Sequence, residues 1–261
     1  MKLLTYPDKI VECAKLAFLC KRLGIKVTNN IKDDFDIGIY WNLNPNQLPD
    51  QELIEISKRI KVINIKCTNV LKGFVDKAWG LASGYSITID PKKLGRYVKK
   101  SQLQWKSHTG EIHDGQICDK PQKPDNKYVY QKLINNTIKN KNGEFYRVLR
   151  VLIFNENIPY VFINDQTLRF KPHKAKTFVK VIYDNITEYI NHEEIKIILK
   201  FCKITGVEYA EIDFLRDNEN GLLYAIDINN ICGNAFHRLP DKESEKLKII
   251  EAETFKKEFL S

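Results

Sequence analysis

The chain has 261 residues, 43% of them apolar and 29% charged, and a formal net charge of +9 from 42 Lys and Arg against 33 Asp and Glu. That is the profile of an ordinary globular protein of one large domain or two to three small ones, and the lack of any apolar run of about 18 residues excludes a membrane-spanning helix. The opening MKLLTYPDKIVECAK has too short an apolar stretch for a secretory signal, and basic residues interleaved with acids along the chain speak against a nucleic-acid binder.

The positive charge raises affinity for anions in general, including nucleotides and phosphorylated substrates, and serves solubility equally well. Six cysteines, at 13, 20, 67, 118, 202 and 232, form no CxxC pair. They are expected to be reduced, mostly buried thiols in a cytoplasmic protein.

In chain order, apolar spacing predicts a helix over 8–23 ended by Gly24, strands at 25–28 and 35–41, a helix over 50–60 capped by Asp50, and a strand at 61–65. Helix and strand thus alternate through the first 65 or so residues, as in a small α/β layer. VLKGFVDKAWGLA reads as a helix ending near Gly84, followed by short strands SITID (86–90) and RYVKKS (96–101). A polar loop over about 102–126 closes with a strand. KYVYQKLI (127–134) is a strand and NNTIKNKNGE a connection. FYRVLRVLIFN and IPYVFIN form an antiparallel pair joined by an NEN turn. Helices are expected at 176–190, at 192–204 before Gly206, and at 241–260. VEYAEIDFL (207–215) and LLYAIDIN (222–229) are two strands joined by a polar turn.

That last pair carries the chemistry. Asp213 lies in one strand; Asp227 and Asn229, two apart, share one face of the next. Paired around the turn, three oxygen donors would converge, which suits Mg²⁺ and its preference for hard ligands completed by phosphate and water. The same residues also fit a turn cap and two solvated strand positions. The apolar residues around them, Ile212, Phe214, Ile226 and Ile228, would require a buried carboxylate to have a partner.

The stretch YAEIDFLRDNENGLLYAIDINNICGNAF resembles the metal-binding end of the ATP-grasp superfamily, of the glutathione synthetase-like and ribosomal S6 modification-like type, with Asp227 where that family most often has Glu. The resemblance covers about residues 60–240. It implies an α/β (α+β) fold of two lobes gripping ATP, the small lobe at 67–134 and the large lobe at 135–261, preceded by a small α/β domain at 1–66. YVYQKLI resembles the hinge strand, which implies adenine contacts at Gln131, Lys132, Leu133 and Ile134. EFYRVLRVLIF resembles the strand carrying a phosphate-binding Arg, best matched by Arg147, with Arg150 a solvated neighbour. RYVKKS resembles the strand with the phosphate Lys, for which "V-x-K-S" favours Lys100 over Lys99. Lys77 stands where the family often has another nucleotide-contacting Lys. HTGEIHDGQ stands at the phosphate flap, where His108 or His113 could touch phosphate or substrate, although a lone loop His is more often just exposed; Arg169 is a weaker phosphate or substrate candidate, at even odds with a surface role.

The cofactors implied are ATP and Mg²⁺, with Asp213, Asp227 and Asn229 as metal ligands and Arg147 and Lys100 on the phosphates. The reaction implied is a carboxylate–amine ligation through an acylphosphate, on a small-molecule or peptide acceptor. The alternatives are a kinase acting on the hydroxyl of an anionic small molecule, and a degenerate nucleotide-binding or basic nucleic-acid-binding protein. No GxSxG, Walker A or catalytic-looking Cys competes with this reading. Dimers are the commonest assembly of such enzymes, although no residue pattern here speaks for a homodimer. Trp41, Trp79 and Trp105 are equally pocket walls or packing.

Overall fold

A computed structural model describes residues 1–261 apart from 13, 43–46, 103–114, 142, 168–176, 231, 233–235 and the side chain of His237. The first of three sheets is parallel, ordered β2-β1-β3-β4, from β1 (Lys2–Pro7), β2 (Lys26–Thr28), β3 (Ile37–Trp41) and β4 (Val62–Ile63). Two helices make the crossovers: α1 (Lys15–Arg22) between β1 and β2, and α2 (Gln51–Ser57) between β3 and β4. Asp50 caps α2 by accepting from the Leu53 N–H.

β1 was not expected, and the helix predicted over 8–23 covers only its second half. Leu3, Leu4 and Thr5 are all buried. A central parallel strand covered on both faces shows no alternation, so its apolar run is too short to read. After Pro7 the described residues are not helical until Lys15: Asp8 N–H donates to Trp41 O and Ala14 N–H to Val11 O.

The second sheet, β6-β5-β7, is antiparallel and consists of β5 (Tyr97–Ser101), β6 (Gln116–Cys118) and β7 (Tyr128–Lys132). It follows α3 (Lys72–Ser83), which ends at Gly84 in the left-handed conformation. The expected strand at 86–90 is reduced to a bridge between Thr88 and Gln131.

The third and largest sheet runs β11-β10-β9-β12-β13, with β8 also pairing β9. Its strands are β8 (Thr137–Asn140), β9 (Gly143–Phe154), β10 (Val161–Gln166), β11 (Thr177–Ile182), β12 (Tyr209–Arg216) and β13 (Leu223–Asn229). Two corrections fall here. The segment 135–144, read as a connection, contains β8, and the helix expected over 176–190 is β11 followed by a 3-10 turn at Ile186–Glu188. TFVKVI exposes Phe178 and Lys180 while Val179 and Val181 turn to the core, a two-residue period. Asn185, at φ 56°, then interrupts the backbone.

Helices α4 (His192–Thr205) and α5 (Asp241–Phe259) complete the chain. A reciprocal box of Asn191 and Glu194 starts α4, and Gly206 ends it. No helix among the described residues is long and apolar enough to cross a membrane.

Both faces of the large sheet are buried, so neighbouring residues of β9 enter different cores. Leu149, Val151 and Ile153 pack with Ile212, Phe214 and α3/α4 residues such as Trp79 and Phe201. Leu152 and Phe154 pack with Tyr160, Phe162, Phe255 and, from the first sheet and its helix, Leu3, Leu16, Leu19 and Trp41. Each such buried side chain is worth about 1.5–3 kcal/mol. The N-terminal sheet therefore shares one core with the large sheet and α5. Trp41 and Trp79 are core residues, whereas Trp105 lies outside the described residues.

Candidate nucleotide and metal site

The face of the large sheet that carries Leu152 and Phe154 also carries the polar cluster. Antiparallel register sets Asp213 opposite both Arg150 and Asp227, and Glu211 opposite Asn229. Residues directly opposite share a face, so Arg150, Glu211, Asp213, Asp227 and Asn229 converge. The register shifts between Asp213 and Phe214, a bulge of the kind that re-aims side chains beside functional sites.

Arg150 grips Asp213 with both arms, Nε to Oδ1 at 2.7 Å and Nη2 to Oδ2 at 2.9 Å, and reaches Glu211 Oε2 with Nη1 at 3.4 Å. Asp213 raises the Arg150 pKa above its ordinary value, against the cost of burial. Burial lifts the Asp213 carboxyl above the usual carboxylate range in spite of that guanidinium.

Two lysines enter from other elements. Lys72, the first residue of α3, brings Nζ to 3.7 Å from Asp227 Oδ1. Lys100 of β5 is pushed down to about 8 by burial and by Lys72, with Asp76, Asp227 and Asp213 pulling the other way. Lys99 points away: its Nζ sits 4.0 Å from the Tyr128 ring centroid. One helical turn after Lys72, Asp76 accepts from Gln131 Nε2 at 2.7 Å, and its second oxygen has no hydrogen-bond partner. Burial pushes Asp76 up to about 6, with Lys100, Gln131, Thr88 and Lys72 opposing.

Asp213 and Asp227 supply hard oxygens, and half-buried Asn229 has a buried Nδ2 with no hydrogen-bond partner. A half-turn of that amide would aim its oxygen instead. This donor set suits a small hard cation that keeps water or phosphate in its remaining positions. Among the described residues no three His, Cys, Asp or Glu side chains form a ready-made metal cage, so Asn229 and outside oxygens are needed to complete one.

The expected site residues divide. Asp213, Asp227, Asn229 and Lys100 come together, and Gln131 joins them through Asp76. Lys132 sits at the end of β7, bonded to the buried Asp217 at 2.6 Å, with half-buried Leu133 and buried Ile134 following. Lys77 is exposed on α3, and Lys72 of the same helix is the lysine that faces the cluster. Arg147 lies on the opposite face of β9, paired with Asp165 through two 2.8 Å bonds beside a cavity of about 250 Å³. The reading of Arg150 as a solvated side chain is thus corrected. His108, His113 and Arg169 lie outside the described residues.

No protein-family model matches the sequence, and no curated protein matches it. Solved structures do match by shape. D-alanine–D-alanine ligase from Bacillus anthracis, complexed with ATP, is 14% identical at a TM-score of 0.57, over 99% of this chain and 96% of that one. The ATP-grasp ligase PsnB with minimal precursor, Mg and ADP is 12% identical at 0.55, over 97% and 96%. The macrocyclase MdnC bound with precursor peptide MdnA from Microcystis aeruginosa MRC is 12% identical at 0.56, over 97% and 98%. At such identities the likeness is one of fold, and the fold of this chain is ATP-grasp.

Proposed function

We propose that this chain binds Mg-ATP between its second and third sheets and uses it to join a carboxylate to an amine. The observation that carries the reading is the convergence of three oxygen donors, Asp213, Asp227 and Asn229, with three cations, Arg150, Lys72 and Lys100. Solved proteins of the same fold, among them small-molecule and peptide ligases, are complexed with ATP or with Mg and ADP. In this reading residues 1–66 precede the grasp, 67–134 are its small lobe and 135–261 its large lobe.

Asp213, Asp227 and Asn229 would hold Mg²⁺, which when bound neutralises phosphate charge. Arg150, which pairs with Asp213 here, has the planar fork that would bind phosphate bidentately. Lys72 and Lys100 add point charge to the same oxygens. The backbone of 131–134 would hold the adenine. An acceptor carboxylate oxygen bonds to the γ-phosphorus as ADP leaves. An amine then adds to the acylphosphate carbonyl and phosphate departs with the C–O bond pair, so that the protein supplies positioning and charge and no nucleophile.

The test is thermal unfolding with MgATP, MgGTP and ATP plus EDTA. MgATP at about 100 times its dissociation constant adds about 2.7 kcal/mol, a shift of about 5–10 °C for a chain of this size. Asp227→Asn should weaken MgATP far more than metal-free ATP; equal losses would remove the metal role. Phosphate release with a new amide marks the ligase, whereas phosphate retained on the acceptor would replace it with a kinase.

A further inference from the structure

Lys15 opens α1, is wholly buried, and has no role of its own in the proposed chemistry. Its Nζ pairs with Glu211 Oε1 at 2.7 Å and with Glu251 Oε1 of α5 at 3.1 Å, and donates to the Tyr160 hydroxyl at 2.9 Å. It also lies 4.5 Å from the Phe162 ring centroid and 5.1 Å from that of Phe236. Tyr160 in turn donates to Glu251. A charge this deep persists only when it is fully paired, and here it is.

The unusual member is Glu211. It stands on β12 two residues before Asp213, on the same face, and its other oxygen is the second acceptor of Arg150. Glu211 is therefore shared between two cations, close to Lys15 and distant from Arg150. Were Lys15 absent, the cation left paired with this buried carboxylate among the described residues would be Arg150.

We infer that Lys15 is a positioning residue for the nucleotide site: by neutralising Glu211 it keeps the Arg150 guanidinium from being captured and leaves it available to phosphate. The inference rests on the Mg-ATP reading above. It makes the N-terminal helix a determinant of nucleotide affinity without any contact to the nucleotide. Its signature is a dependence on Glu211, since the harm done by losing Lys15 is done through the carboxylate it releases.

Calorimetric titration with Mg²⁺ and the non-hydrolysable imido analogue of ATP reads this directly. Lys15→Met should weaken binding at least about tenfold, the scale of one charged hydrogen bond. Lys15→Met/Glu211→Gln should return to within about threefold of the wild type, a coupling that only interacting positions show. A double variant as weak as Lys15→Met would overturn the inference, because a lysine that merely braces α1 against α5 is not rescued by removing Glu211. Should Lys15→Met fail to fold, Lys15→Met/Glu251→Gln strands one carboxylate fewer, and the same comparison is made with and without Glu211→Gln. Glu211→Gln alone should bind as tightly as the wild type or tighter; a tenfold loss there also overturns it. Absence of nucleotide binding by the wild type would instead sink the Mg-ATP reading itself.

Discussion

Replacing Arg150 with Met separates the two faces of β9. The side chain leaves behind Asp213, with both oxygens stripped of hydrogen bonds of 2.7 and 2.9 Å, and weakens the satisfaction of Glu211. Removing one partner from a buried pair costs about 3–5 kcal/mol. Because the Arg150 side chain is 29% exposed and that of Asp213 13%, the lower end applies, about 3 kcal/mol. Arg147 is the control. Its pair with Asp165 has equally short bonds and nearly the same exposure, 33% and 16%, on the far face, so Arg147→Met should cost a comparable amount of stability, about 3 kcal/mol. Urea denaturation measures both losses. Mg²⁺ should restore more stability to Arg150→Met than to the wild type, since its uncompensated Asp213 carboxylate gains a counter-charge. In calorimetric titration with Mg²⁺ and the imido analogue of ATP, Arg150→Met should lose about 10- to 100-fold in affinity, the worth of one charge-assisted contact. Arg147→Met should stay within about threefold of the wild type, as expected of a residue that touches neither ligand nor site. If Arg147→Met loses the nucleotide and Arg150→Met keeps it, the triphosphate lies on the other face and the site proposed above is wrong.

Two further outcomes are expected. Lys100 titrates near 8 in the fold against an ordinary value of 10.5, so between those values the unfolded chain binds more protons and stability rises with pH; Lys100→Met should abolish that rise in urea titrations from pH 7.5 to 10.5, and nucleotide affinity in the wild type should fall above about pH 8 as the lysine neutralises. Gly206→Ala should destabilise by about 3 kcal/mol or more, because φ is +72° and a Cβ would lie 2.5 Å from the backbone C and O of Lys66; Gly84→Ala, at φ +83° with nothing within 4 Å, should cost only about 1 kcal/mol, and comparable melting temperatures for the two would refute the steric argument.

Much of the fold was legible because many elements present a single exposed face. The helix capped at Asp50, the glycine stops at Gly84 and Gly206, and the paired strands around Asp213 and Asp227 follow from local rules of capping, turn and period. The convergence of Asp213, Asp227 and Asn229 was readable for the same reason: two-residue spacing on one strand and a short turn to the next leave few registers. β1 escaped because a strand buried on both sides has no period to detect, and β11 because its alternation is short and borders a polar stretch.

Sequence by itself thus determined the order of elements around the acidic pair and the residue types available there. Which arginine of YRVLR faces the acids was decided only by the tertiary structure. With both faces of the large sheet buried, Val148 to Phe154 are apolar at every position but 150, and alternation says that Arg147 and Arg150 part company without saying which one meets Asp213. Lys15 is the extreme case. Nothing in its local sequence distinguishes it from a solvated lysine at the start of a helix, because its partners, Glu211 and Glu251, are brought in from 196 and 236 residues away, and a charge is buried by what folds over it.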